Sequence, residues 1–145
     1  MTLPMRRKFA IAILAAISGS AVITVKTYAD GPPEKWEAPS RAARRKNPIA
    51  ADAKSVAAGK VVYNAQCLSC HGPSGKGDGP QAHDLNPKPR DLSDPAIQGQ
   101  TDGSMFWKIT EGKKPMPTFA NLISEDDRWN VINFVRTLAA KGAKQ

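Results

Sequence analysis

The chain has few of the residues that most often build active sites and cross-links. In 145 residues there are two cysteines, two histidines, three tryptophans, two tyrosines and four phenylalanines. Two cysteines exclude a disulfide framework, and so few aromatics leave a lean apolar core for a domain of this size. No internal repeat is present, and strands read as absent or minimal. The glycine-rich run GPSGKGDG lacks the Gly-Lys-Ser/Thr ending of a phosphate-binding loop and follows no strand, so that reading is set aside. The length fits one domain.

Acidic residues are also scarce, 13 against 21 basic ones, for a net charge of +8. Part of that excess belongs to the N-terminus. Arg6, Arg7 and Lys8 head an apolar stretch from Phe9 to Val25, followed by the small-residue site Thr27-Tyr28-Ala29. This is the pattern of a signal peptide over residues 1–29, with an uncleaved N-terminal membrane anchor as the alternative. Removal of that segment leaves 17 basic and 13 acidic residues, a charge of +4. Export places the domain in the periplasm, free or tethered to the outer face of the inner membrane. Residues 30–49, rich in proline and with Arg41, Arg44, Arg45 and Lys46 close together, read as an extended linker arm. The basic cluster is either a solvated helical turn or a contact for an acidic partner or anionic membrane.

Both cysteines fall in one short stretch, CLSCHG, two residues apart, with His71 directly behind the second. Outside the cytoplasm a Cys67–Cys70 disulfide is a possible reading, but it would close a loop too short to stabilise much. A thioredoxin-like dithiol should follow a strand, and a zinc site would need His83 at an unusual spacing to complete four ligands. The spacing Cys-x-x-Cys-His is also that of c-type haem attachment. On one helical turn, positions i, i+3 and i+4 share a face, so Cys67 and Cys70 can bond one haem while His71 meets its iron. A large apolar macrocycle would also fill the core that the side chains leave lean.

With GKKPMPTF downstream and a glycine-rich loop between, the sequence from about residue 50 to 141 resembles the class I c-type cytochromes, small helical electron carriers. The resemblance implies an all-α domain over residues 50–145, wrapped around one covalently bound haem c. It also implies that a glycine of the first helix lies beneath an aromatic of the last. Gly59 is the natural candidate, because a glycine in mid-helix costs about 1 kcal/mol relative to alanine. Phe134 is expected to cross it, with Trp129 as the alternative. By the same resemblance, Pro80 supplies the carbonyl that holds the His71 ring, and Arg90 and Trp107 bind the haem propionates.

The helices themselves follow from periodicity and caps. Ala53 to Gln66 is predicted as a helix with Asp52 as its N-cap. Asp102 to Ile109 forms a short one closed by Gly112. The last is capped by Ser124, with Asp127 completing an approximate capping box, and buries Trp129, Val131, Ile132, Phe134, Val135 and Leu138 before stopping at Gly142. Gly72 to Gln100 is too rich in glycine and proline for long regular structure.

The sixth position on the iron decides the chemistry. Met105 stands in an apolar helical run and reads as core, while His83 is the rival ligand. Met116 lies between two prolines in a loop, where core filling explains a thioether poorly, and it matches the methionine of the resembled family. His71 and Met116 together would favour reduced iron and leave no open site, which is the arrangement of a one-electron carrier rather than an enzyme. The partners expected are redox donor and acceptor proteins, membrane-bound respiratory complexes among them, and not nucleic acid; when free, the chain is expected to be a monomer. Lys76, Lys113 and Lys114 are expected to ring the haem edge and face an acidic partner. A haem-bearing subunit of a dehydrogenase or reductase complex is the alternative, and a gas-sensing or peroxidatic haem protein with a labile Met116 is a third class.

Overall fold

In the computed structural model the described residues are 35–142, and the predicted signal segment lies outside them. Six helices run in chain order: α1 Ser40–Ala43, α2 Ala53–Gln66, α3 Leu68–His71, α4 Pro95–Gln98, α5 Asp102–Glu111 and α6 Glu125–Gly142. A single 3-10 turn, Ala82–Asp84, interrupts the long loop between α3 and α4. No strand occurs among the described residues; there is one isolated bridge, between Lys113 and Met116. None of these helices is long and apolar enough to cross a membrane.

Each long helix starts where a side chain accepts from its exposed first-turn amides. The Asp52 carboxylate takes the Ser55 N–H at 2.8 Å to open α2. Thr101, which the sequence reading passed over, takes the Ser104 N–H at 3.1 Å to open α5. Ser124 opens α6 by accepting from the Asp127 N–H at 3.0 Å. Its hydroxyl then donates to the Asp127 carboxylate at 2.8 Å, so the box closes through side chains on both sides. Gly112, at φ 67°, ends α5 as expected.

The core is the seam between α2 and α6. Tyr63 packs there with Val131, Phe134, Val135 and Leu138, all buried. The close approach at Gly59 is as anticipated: a Cβ built there would lie 2.0 Å from the Asn130 carbonyl oxygen and 3.0 Å from the Phe134 Cβ. Phe134 also tilts against Tyr63 at a centroid distance of 5.0 Å. Trp129 does not cross Gly59. It stacks on Phe106 of α5 at 4.0 Å, in a second cluster with Met105 and Ile132. Met105 is therefore a core residue, as its neighbours in sequence suggested. Arg136 ties the pieces together, its guanidinium meeting Asp102 at 2.7 Å and the Gln98 and Gln100 carbonyls.

The expectation that residues 30–49 form an extended arm needs correction for the part described. Residues 39–50 pack against α5 and α6. Gly103 is in close contact with the end of α1, and Thr101 donates to the Ala43 carbonyl at 2.7 Å. Asn47 donates to the Asn133 side chain at 2.8 Å, and Asn133 in turn donates to the Ile49 and Ala50 carbonyls. Arg45 pairs with Glu125 at 2.7 Å and lies 4.6 Å over the Phe106 ring. The prolines and arginines resembled a linker in composition, but the segment is held by partners more than eighty positions away.

Candidate functional site

The site begins where α2 ends. Cys67 is the C-cap of α2 and the N-cap of α3 at once. The amide of Cys70 donates to the Cys67 carbonyl at 3.2 Å and that of His71 at 2.9 Å, which closes one helical turn. Cys67, Cys70 and His71 are thus one, four and five along the same turn, the placement that lets them share a face. Gly72, at φ 76°, ends the turn. Just beyond His71, the buried Tyr63 hydroxyl donates to the Gly72 carbonyl at 2.7 Å, so α2 grips both ends of the attachment segment. Tyr63→Phe should therefore lower stability by about 1–3 kcal/mol, because it strands a buried carbonyl. A shift of the denaturant midpoint without a change in slope checks this.

Neither cysteine is in a disulfide. Cys67 packs against the α2–α6 core, and burial, with the neighbouring Cys70 adding, pushes its thiol up to about 12. A thiol so neutral is unlike the low-pKa thiolate of a redox dithiol. The Cys70 sulfur faces the Gln81 Oε1 at 3.7 Å.

His71 is partly buried, and that burial holds the imidazole below its ordinary value, with the hydrogen bond to the Arg90 carbonyl opposing. Its Nδ1 donates to that carbonyl at 3.3 Å. That direction favours the neutral ring, and with Nδ1 donating the lone pair lies on Nε2, the nitrogen a metal would take. Pro80 was expected in the role that Arg90 fills. The Gly79–Gln81 segment is instead pinned along α3: the Gly79 N–H donates to the Cys70 carbonyl at 3.1 Å and the Gln81 N–H to that of Ser69 at 2.9 Å. Arg90 arrives because the loop folds back on its glycines. The Leu92 N–H donates to the Gly75 carbonyl at 2.6 Å, and a Cβ on Gly77 would lie 2.2 Å from the Pro89 oxygen. Two free thiols and a neutral, oriented imidazole on one turn are a donor set that fits haem c.

The remaining candidates stand on other segments. The Arg90 side chain is exposed, and its charge is felt by Lys108, whose amine is held low chiefly by burial. Trp107, one residue before Lys108, is partly exposed on α5. Met116 is partly buried in the loop between α5 and α6, its N–H donating to the Lys113 carbonyl at 2.9 Å. His83 is exposed on the 3-10 turn with its Nε2 3.1 Å from the Asp84 carboxylate. Lys76 is engaged by Asp91 at 3.2 Å and Ser93 at 2.8 Å, so it braces the loop that carries Arg90. Arg128 escaped the sequence reading altogether. It is 7% exposed, and nothing in the sequence separates it from the other polar positions of α6.

Residues 54–135, more than half of the chain, match the family described as cytochrome c oxidase, cbb3-type, subunit III. No curated protein matches. Among solved structures, a Kuenenia stuttgartiensis reducing HAO-like protein complex is similar, with 30% sequence identity and a TM-score of 0.54. The match covers 63% of this chain and 46% of that one, so this chain spans less than half the length of the solved chain. Taken with the Cys67–His71 turn and the α2–α6 seam, the family match gives the conclusion that this chain belongs to that family and is a c-type cytochrome domain, a kind that implies covalently bound haem c and electron transfer.

Proposed function

We propose that the chain is an exported one-electron carrier holding a single haem c, working in the periplasm between a redox donor and an acceptor protein. The observation that carries this reading is the His71 ring, neutral and fixed by the Arg90 carbonyl, on the same turn as two free thiols. Cys67 and Cys70 would hold the porphyrin covalently, and His71, through Nε2, and Met116 would hold its iron. Pro80 is not needed in this reading, and Arg90 contributes through its backbone; its side chain and Trp107 remain the propionate partners we favour. Bound haem supplies reversible one-electron iron chemistry. The Arg90 carbonyl raises the basicity of the imidazole, while the soft Met116 sulfur favours the reduced metal and so raises the potential. With both protein ligands in place, no position is left for a substrate.

Spectroscopy of purified holoprotein tests the ligation. Met116→Ala should abolish the methionine–iron charge-transfer band and open the reduced protein to carbon monoxide, whereas His83→Ala should leave both as in the wild type. A wild-type protein that lacks this band, and that His83→Ala rather than Met116→Ala opens to carbon monoxide, would make His83 the ligand and remove the carrier reading in this form.

The comparisons favour a second reading: the matched family is described as an oxidase subunit, and the similar solved chain belongs to a protein complex. The chain would then pass electrons as the haem-bearing subunit of a larger oxidoreductase. Stable co-purification with a partner protein distinguishes the subunit from the shuttle.

A further inference from the structure

The loop that carries Met116 has one buried cation behind it. Arg128 of α6 is 7% exposed. Its Nη1 donates to three carbonyls of that loop, those of Phe119 at 3.1 Å, Ala120 at 2.9 Å and Ile123 at 3.0 Å. The guanidinium also lies 5.0 Å over the Phe106 ring. Burying a charge is costly unless hydrogen bonds replace its water; here backbone oxygens of one short segment serve Nη1, while the buried Nε has no hydrogen-bond partner among the described residues.

The near limb of the same loop is fixed to α5. Thr118 donates to the Thr110 carbonyl at 2.6 Å, and the Phe119 N–H to that of Ile109 at 3.2 Å. Gly112 lies so close beneath the Pro117 carbonyl that a Cβ there would be 2.4 Å from its oxygen. Between these anchors Met116 stands on a tight turn, its N–H bonded back to Lys113. The span from 117 to 123 therefore has two attachments, α5 on one side and the Arg128 guanidinium on the other. Loss of the second would leave the loop that carries Met116 held by its α5 anchors alone.

We propose that Arg128 is a positioning residue for Met116: by gathering the Phe119, Ala120 and Ile123 carbonyls it holds the methionine loop closed, so that the sulfur stays where it was placed. The proposal rests on Met116 being the sixth ligand. It touches neither haem nor iron through Arg128 itself, and it predicts a change in ligand lability rather than in haem attachment.

The test uses reduced holoprotein and carbon monoxide as the probe of an opened site, with backbone amide exchange of residues 119–123 measured alongside. Arg128→Gln removes the charge and the Nη1 donor, and should raise the rate of carbon monoxide uptake about tenfold, the effect of losing roughly one charge-assisted hydrogen bond. Arg128→Lys keeps the charge on a differently shaped head and should give a smaller rise, about threefold on the same scale, and it decides the matter if the glutamine variant does not accumulate. Asn133→Ala, also buried on α6 but bonded to Ile49, Ala50 and Ser55, serves as the control and should leave uptake at the wild-type level. Wild-type uptake in the Arg128 variants, or an equal rise in Asn133→Ala, would overturn the proposal. A charge-transfer band that survives Met116→Ala would instead overturn the ligand assignment on which it stands.

Discussion

Replacing both Cys67 and Cys70 by serine should yield a protein from which all pigment is stripped by denaturation, with the mass of bare polypeptide. The two free thiols are the only ones in the chain, and a hydroxyl does not form the thioether. Expression alongside a functioning haem-ligation apparatus and mass spectrometry of the unfolded product make the measurement. The single variants should differ. Cys67 packs against the apolar cluster of the α2–α6 seam, so Cys67→Ser also buries a polar group in an apolar setting, at a cost of about 1–3 kcal/mol. Cys70 faces Gln81 instead, and its serine variant should be the more stable of the two. Colour and mass retained by the double variant after denaturation would remove covalent attachment at this turn, and the proposed function with it.

Gly59→Val should be the most damaging single change away from the site. The seam has no room: even the first added carbon meets the Asn130 carbonyl oxygen at 2.0 Å, and that oxygen is backbone in the middle of α6. The helices must separate, which also loosens Tyr63 from Phe134 and, through the Tyr63 hydroxyl, the Gly72 carbonyl after His71. Overpacking of this kind costs about 1–3 kcal/mol and more where backbone must move, against a total stability on the order of 5–15 kcal/mol. Thermal or chemical unfolding of the holoprotein reads the loss. Ala57→Val, on the exposed side of the same helix, should stay within about 0.5 kcal/mol of the wild type. Equal effects at the two positions would show that Gly59 is there for a reason other than the crossing.

Most of the helical frame was legible because its causes are local. The limits of α2, its Asp52 cap, the Ser124 cap and all six apolar positions of α6 follow from helical periodicity and first-turn chemistry. The attachment turn was legible for the same reason, since three residues within five positions need only one turn to meet. Where a partner comes from a distant loop, sequence gave less. The carbonyl holding His71 belongs to Arg90, nineteen positions on, and reaches it only after the glycine-rich loop folds back. Pro80 was the closer choice in sequence, but its segment is pinned along α3 by the Gly79 and Gln81 N–H groups while the His71 ring meets the Arg90 carbonyl. Arg128 looks in sequence like an ordinary polar position on an amphipathic helix. Its burial becomes intelligible only with the Phe119–Ile123 carbonyls in view.

The segment before α2 carries a practical lesson about where this domain starts. A chain trimmed at residue 50, the border that composition suggests, would lose the Arg45 lid over Phe106 and Trp129 and the Asn47 partner of Asn133. Water would then reach a stacked indole–phenyl pair that the intact protein shelters, and a newly bared greasy face would invite aggregation. The smallest sound expression unit therefore keeps the residues from about 35 onward, which serve the fold as insulation.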